Sequence, residues 1–287
     1  MIGRIVKGVG GFYYVYDDGQ TYMGNARGIL KRHKDMLYVG DVVSYEIRED
    51  GDCIITGILK REHTLNRPPV SNLDLLVIVF AAASPAVNHL AVDKMTVICE
   101  QMGLDAAICI TKSDLVTAEE LDQLAGIYRG TYPVLVVNNL TGEGLEDLRE
   151  LIRGRSAALA GASGVGKSSI INGLLGADHL ETGSVSDKTR RGRHTTRHVE
   201  IFPLESDTWL YDTPGFTSLD LPQMERTEVR QFIREFREYQ GSCYYSDCLH
   251  LREPGCAVKE ALAEGRIHPI RYQSYQNMIE EVSQWHK

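Results

Sequence analysis

Nine residues constrain this chain more than any others: Gly161-Ala162-Ser163-Gly164-Val165-Gly166-Lys167-Ser168-Ser169. They fit G-x-x-x-x-G-K-[ST], a loop that joins a strand to a helix around phosphate groups. Glycines let the backbone curl so that successive N–H groups face anionic oxygens. The helix that follows adds the positive end of its dipole. Lys167 can reach the β- and γ-phosphates as a point charge, and the Ser168 hydroxyl can ligate magnesium. The flanks agree, since residues 157–160 read as a buried strand and 169–175 as a helix.

An α/β domain around that loop is legible on both sides of it. Leu75-Leu76-Val77-Ile78-Val79-Phe80 is a continuous apolar run, as in a parallel strand buried on both faces. Helix 91–102 follows, ended by Gly103. Then come strand 106–110, helix 118–129, strand 134–137, helix 145–152 and the strand entering the loop. This alternation predicts a doubly wound α/β domain.

Directly after strand 106–110 stands Thr111-Lys112-Ser113-Asp114. In phosphate-loop GTPases Asn/Thr-Lys-x-Asp reads guanine: the aspartate accepts from N1–H and the exocyclic amine, and the lysine stem covers the ring. Adenine lacks that donor pair and would leave a carboxylate unpaired. Downstream, Asp212-Thr213-Pro214-Gly215 ends a strand from Trp209. Asp212 can hold magnesium through water, and the Gly215 N–H can touch the γ-phosphate. Between these lies a polar, basic stretch, 184–198, with Arg193-His194-Thr195-Thr196-Arg197. A threonine there can complete the magnesium shell when the γ-phosphate is present. The guanine motif precedes the phosphate loop, the reverse of the ordinary order, so the domain is circularly permuted. Permutation is feasible where the original termini lie close together.

Residues 1–64 read differently. Gly10-Gly11, Asp17-Asp18-Gly19, Gly40-Asp41 and Asp50-Gly51-Asp52 are turn signals between β-rich runs 12–16, 42–47 and 53–58. So many short strands predict a small barrel, OB-like or SH3-like. Tyr13, Tyr14, Tyr16, Tyr22 and the basic run Lys31-Arg32-His33-Lys34 would suit single-stranded RNA. Asn66-Arg67-Pro68-Pro69 reads as a linker, because paired prolines resist helix and central strand.

At the other end, Val229, Phe232, Ile233, Phe236 and Tyr239 fall at helical spacing. Cys243, Cys248, His250 and Cys256 then cluster; three thiolates and an imidazole suit closed, tetrahedral, structural zinc. Tyr275, Met278, Ile279, Val282 and Trp285 mark a last amphipathic helix. Cys53, Cys99 and Cys109 sit among apolar residues and read as core. Six cysteines in 287 residues, no signal-like or myristoylation pattern and no apolar run long enough to span a bilayer together predict a cytoplasmic protein. A net charge of −8 argues against a uniformly basic nucleic-acid binder, though not against local basic patches.

Taken together, these motifs resemble the circularly permuted, ribosome small-subunit-dependent GTPase A (RsgA) family. The resemblance is carried by Leu65-Asn66-Arg67-Pro68, Thr111 to Asp114, Thr141-Gly142-Glu143-Gly144-Leu145, Gly161 to Ser169, Gly192 to Thr196, Asp212 to Phe216 and the Cys243, Cys248, His250, Cys256 set. It implies a multi-domain chain: an all-β OB-fold barrel at 1–64, a central α/β circularly permuted GTPase at 65–218 and a mainly α zinc-binding domain at 219–287. It implies GTP hydrolysis with magnesium, binding of rRNA, late maturation of the small ribosomal subunit and activation by that subunit. A monomer is expected, with GTP and GDP as ligands and neither membrane nor DNA as partners. Two departures stand out. Thr111 replaces the usual asparagine, which weakens the expected brace to the phosphate loop. Asn138-Asn139 replaces a Ser-Ala or Ser-Ser pair that contacts guanine, leaving a backbone contact as the expectation. His194, Lys167, Thr195 and Thr196 are the catalytic candidates, because Phe216 stands where many GTPases carry a water-positioning glutamine. An ATP-using kinase is disfavoured by Thr111 to Asp114, and a scaffold with a degenerate site by intact Lys167, Ser168 and Asp212.

Overall fold

The computed structural model describes residues 1–27, 36–66, 69–176, 199–205, 207–212 and 221–284. The chain divides into two units: Met1–Val77 with Leu145–Ala160 and Lys167–Thr217, and Ile78–Gly144 with Gly161–Gly166 and Ser218–Lys287.

The first unit opens with β1 (Ile2–Val9), β2 (Phe12–Asp17), β3 (Gln20–Ala26), β4 (Val42–Ile47) and β5 (Cys53–Ile58). Alternate side chains, among them Ile5, Val15, Val43, Tyr45 and Ile55, are buried, as a period of two requires. The strands run in the order β1-β2-β3-β5-β4, and β4 returns to pair with β1. Only β3 and β5 run parallel. The order is that of an OB-fold barrel. A register shift between Ile5 and Lys7 bends β1 while it pairs with both β2 and β4. β1 and β3 carry weaker patterns than the three runs legible in the sequence.

The expected linker at 66–69 runs between two paired strands: β6 (Thr64–Asn66) pairs antiparallel with β7 (Pro69–Ser71), and Arg67 and Pro68 lie outside the described residues. Pro69 opens the strand, where a missing N–H is tolerated, and the other side of β7 meets Val39, whose carbonyl accepts from the Ser71 N–H at 3.0 Å. The buried Asp41 carboxylate holds the ribbon, accepting from Arg61 Nε at 2.6 Å and from the Ser71 hydroxyl at 2.6 Å. A buried carboxylate is tolerable when its oxygens are filled in this way.

In the same unit, β11 (Ser156–Ala160) lies parallel to β13 (Trp209–Asp212), and β12 (Glu200–Pro203) pairs antiparallel with β13. α3 (Leu145–Ile152) and α4 (Lys167–Leu175) also belong here. Arg149 donates to the Leu174 carbonyl at 2.8 Å, satisfying an orphan acceptor in the last turn of α4.

Most of β8 (Leu75–Ala81), all seven of whose residues are buried, belongs to the second unit with α1 (His89–Met102), β9 (Asp105–Thr111), α2 (Ala118–Gly126) and β10 (Val134–Val137). Asn88 caps α1 by accepting from the Ala91 N–H, and Gly103 ends it in the left-handed region. α2 stops at Gly126, short of the expected Arg129, after a capping box at Thr117 and Glu120. β9 and β10 run parallel.

The C-terminal region packs its own core around Phe236, Tyr275, Met278 and Ile279, and this core includes Val97 of α1. Here too the sequence expectation needs correcting. The helical spacing of Val229 to Tyr239 forms no single α-helix. α5 (Arg226–Val229) gives way to 3-10 segments Arg230–Phe232 and Arg234–Tyr239, with Ile233 extended between them. Tertiary bonds override the local pattern: Arg230 donates to the Cys248 carbonyl, while Arg234 and Arg237 pair with buried Glu100. After α6 (Ala257–Ala263) comes α7 (Pro269–Gln284), which buries Tyr275, Met278, Ile279 and Val282. Trp285 lies outside the described residues. Buried Arg271 of α7 forks onto Glu235 at 2.6 and 3.0 Å and also bonds Asp93 of α1. Opposite charges on both sides make a buried guanidinium tolerable. No helix among the described residues is long and apolar enough to cross a membrane.

Candidate functional site

The phosphate loop is one covalent stretch whose first part belongs to the second unit and whose lysine opens α4 in the first. Two glycines are obligatory there. Gly161 has φ +144°, and a Cβ on it would lie 2.0 Å from the Val79 carbonyl oxygen. Gly166 has φ +99°, and a Cβ would lie 2.5 Å from the Asn139 side-chain nitrogen. Both conformations are strained for any residue with a side chain. Val165 is buried and pins the loop, while Ala162 and Ser163 are exposed. Gly164, Lys167, Ser168 and Ser169 are half-buried.

The guanine-motif turn lies against this loop within the second unit. Thr111 is fully buried, and its hydroxyl hydrogen-bonds to the Val165 carbonyl at 2.6 Å. The substitution at 111 therefore still makes a brace to the loop, through one short bond. Lys112 has φ +56°, and its ammonium donates to the Ser84 carbonyl at 2.5 Å. That bond holds the lysine stem across the turn, and nothing in the spacing of the motif pointed to Ser84. Ser113 and Asp114 form a 3-10 turn that leaves the Asp114 side chain exposed.

Asn138 and Asn139 have distinct contacts. Asn138 Oδ1 accepts from the Leu140 N–H at 2.9 Å and from the Thr141 N–H at 3.4 Å. Its backbone N–H donates to Glu143, and its carbonyl accepts from Gly142. This is an Asx-turn, closed by the asparagine that directly follows β10. Asn139 Nδ2 donates to the Gly166 carbonyl at 3.4 Å.

In the first unit, Lys167 and Asp212 are both half-buried and interact electrostatically. Burial lowers the pKa of the Lys167 ammonium, and Asp212 opposes that shift. Burial raises the pKa of Asp212; Glu200 adds to the rise and Lys167 opposes it. Two opposite charges drawn partly out of water are ready for phosphate oxygens and a divalent cation. His194, Thr195, Thr196, Gly215, Phe216 and the basic run at Lys31 lie outside the described residues.

The structure also brings the four C-terminal candidates together. Cys243 Sγ lies 3.5 Å from His250 Nδ1 and 4.0 Å from Cys256 Sγ, and His250 Nδ1 lies 3.3 Å from Cys256 Sγ. All four ligand atoms fall within 4.8 Å of one another. Tetrahedral zinc with its usual bond lengths would put sulfurs roughly 3.8 Å apart and sulfur and nitrogen roughly 3.5 Å apart. The donor set therefore fits a metal ion. His250 has φ +59°, and the turn that strains it is held from outside. The Tyr272 and Tyr275 hydroxyls donate to the His250 and Leu249 carbonyls, each at 2.6 Å. Burial opposes ionisation of Glu253, but backbone N–H donors including those of Leu249, Leu251 and Arg252 bring its pKa down to about 2.

Comparison with known proteins decides the family. Residues 58–222 match the RsgA GTPase family and residues 2–55 the RsgA N-terminal domain. The chain belongs to the RsgA GTPase family. It is 41% identical to the small ribosomal subunit biogenesis GTPase RsgA of Caldanaerobacter subterraneus, over 99% of this chain and 97% of that protein. The corresponding RsgA of Agathobacter rectalis is 39% identical, with 98% of each chain covered. Among solved structures, YjeQ from Thermotoga maritima superposes with a TM-score of 0.83 at 32% identity, covering 98% of both chains. YloQ, described as a circularly permuted GTPase, gives 0.80 at 31% identity, covering 99% of this chain and 95% of that one. Like other RsgA GTPases, this chain is a GTP-hydrolysing enzyme of permuted fold, with an N-terminal barrel and a C-terminal helical region carrying the Cys3His cluster.

Proposed function

We infer that the chain acts in late maturation of the small ribosomal subunit, binding rRNA and hydrolysing GTP when the subunit stimulates it. One observation carries this reading: a guanine motif placed ahead of the phosphate loop, in a chain that matches proteins named for small-subunit biogenesis from end to end. The order of the motifs supports three functional domains, 1–64, 65–218 and 219–287; a cytoplasmic monomer is part of the same proposal. Half-buried Tyr13 and Tyr14 on the barrel, with the basic run Lys31 to Lys34, favour contact with single-stranded rRNA.

In the nucleotide site, Asp114 reads the base while Lys112 covers it. Backbone N–H groups from Gly161 to Ser169 and the Lys167 ammonium hold the phosphates. Ser168 and Asp212 would hold magnesium, whose contribution is to neutralise charge developing on the phosphate oxygens. Phe216 can neither donate nor accept a hydrogen bond, so another group positions the attacking water. His194, beside Thr195 and Thr196, is the candidate, because a neutral imidazole accepts from water and titrates near neutral pH.

The reading is tested by steady-state GTP hydrolysis with and without purified small subunits. Strong stimulation is expected, with His194→Ala losing about 100-fold of the stimulated rate while it still binds GTP. Hydrolysis indifferent to the subunit would overturn the activation. Near-wild-type stimulated turnover in the variant would remove His194 from the mechanism.

The Cys243, Cys248, His250 and Cys256 set is read as structural zinc, since a closed set of four protein ligands leaves no open position for chemistry. Metal analysis should find one zinc per chain. Cys248→Ala should abolish zinc binding and lower the thermal midpoint, because binding energy here is folding energy, while GDP still binds. Carefully purified protein without zinc would refute the assignment.

A further inference from the structure

We propose that Asn139 is a positioning residue for the phosphate loop in this chain, a second brace beside Thr111, and makes no side-chain contact with the base. The inference rests on the guanine-nucleotide reading above and concerns how that site is held together.

The observations lie within one unit of the fold. Asn138 uses its own side chain to close the turn after β10, accepting from the N–H groups of Leu140 and Thr141. That turn delivers the next residue to the phosphate loop. Asn139 Nδ2 donates to the Gly166 carbonyl at 3.4 Å and occupies the space that a Cβ on Gly166 would need. One residue earlier, the Thr111 hydroxyl bonds the Val165 carbonyl at 2.6 Å. Two successive carbonyls of the phosphate loop are thus held from two different turns of the base-recognition region. Each bond engages the outward oxygen of a peptide unit, and Gly166 sits next to Lys167. Holding these peptides limits how far the loop can turn its N–H groups away from a bound phosphate.

The orientation of the Asn139 amide is set by this contact. With the amide reversed, its oxygen would face the Gly166 carbonyl oxygen and repel it. The other end of the amide, Oδ1, is buried and has no hydrogen-bond partner among the described residues. A buried unpaired acceptor is costly, so the side chain is not placed here to satisfy itself. One N–H of the amide is given to the phosphate loop and the oxygen is buried, which sets the side chain against the loop.

A brace and a base contact differ in what they discriminate. Loosening the loop weakens every nucleotide that carries a β-phosphate, whatever its base, whereas losing a base contact changes the preference among bases. The experiment is competitive titration of GDP, IDP and ADP against a fluorescent guanine nucleotide, for wild type, Asn139→Ala and Asn139→Ser, with Thr111→Val and the Thr111→Val/Asn139→Ala double variant alongside. Asn139→Ala should weaken GDP and IDP by the same factor, about five- to tenfold for one lost hydrogen bond with its packing. The GDP-to-ADP preference should stay at the wild-type value. Asn139→Ser, which keeps a short donor, should recover part of the loss. The double variant should depart from the product of the single losses, because both residues hold one loop. Thermal unfolding of each variant identifies any that fail to fold, and the serine variant then carries the test. Unchanged GDP affinity in Asn139→Ala, or a loss for GDP that ADP or IDP does not share, would overturn the proposal. Failure of the wild type to prefer GDP over ADP would instead overturn the guanine reading on which it rests.

Discussion

Asp114→Asn should lose GTP affinity by roughly 10²- to 10⁴-fold and gain affinity for xanthine nucleotides. The carboxylate is the acceptor for two donors on guanine, and each charge-assisted bond is worth about 1.5–3 kcal/mol. The structure presents this side chain exposed on a 3-10 turn directly after β9, with Lys112 tied to Ser84 beside it. An amide keeps the shape of the carboxylate but turns one acceptor into a donor. It therefore faces a donor on guanine and suits the carbonyl that xanthine carries in its place. Because the turn is exposed and its backbone bonds are unaffected, the variant should fold normally. Fluorescent-nucleotide titration with GTP and XTP checks the outcome, and unchanged GTP affinity would remove Asp114 from base recognition.

Lys167→Met should cost a further class of function, with kcat falling by about 10²- to 10³-fold. Losing one preorganised group that faces developing charge typically has that effect. Methionine keeps much of the length of the side chain without its charge, so the loss reports electrostatics more than packing. A second effect follows from the local charges. Asp212 is already raised by burial and by Glu200, and Lys167 is the neighbour that opposes the rise. Removing the ammonium should push the Asp212 carboxyl higher still, so any hydrolysis left in the variant should need a higher pH than in the wild type. Single-turnover hydrolysis across a pH series measures both. A variant with wild-type kcat would show that the phosphate loop works through its backbone alone.

Much of this was legible in the sequence, for a common physical reason: the informative residues act through the backbone of their own segment. A phosphate loop works by local curvature, so Gly161 to Ser169 and the helix from Lys167 declare themselves in nine consecutive letters. A strand buried on both faces must be continuously apolar, as Leu75 to Phe80 are, and Gly103 ends its helix by its own conformational freedom. Three cysteines and a histidine within fourteen residues can meet around one ion with little help from elsewhere. The barrel was legible as a class from its turns and alternation, although its strand order was not.

Other features depended on partners far away in the chain. The Pro68-Pro69 segment reads as a linker by itself, yet it leads into a strand because Asp41 and Arg61 hold the ribbon from outside. Residues 229–239 have the period of one helix, but Glu100, 134 to 137 positions away, takes Arg234 and Arg237, and the helix breaks at Ile233. Arg271 looks like an ordinary surface arginine on an amphipathic helix and is instead buried between Asp93 and Glu235. The division of labour between Asn138 and Asn139 belongs to the same class. One side chain closes its own turn, which short-range pattern can foretell. The other reaches a carbonyl 27 residues on, which depends on how β10 and the phosphate loop come together in space. By itself the sequence determined the chemistry each segment can offer, because curvature, period and ligand type are local. Only the tertiary structure decided which groups serve one another, because a hydrogen bond or buried ion pair is a matter of distance, and distance between remote residues is set by the whole fold.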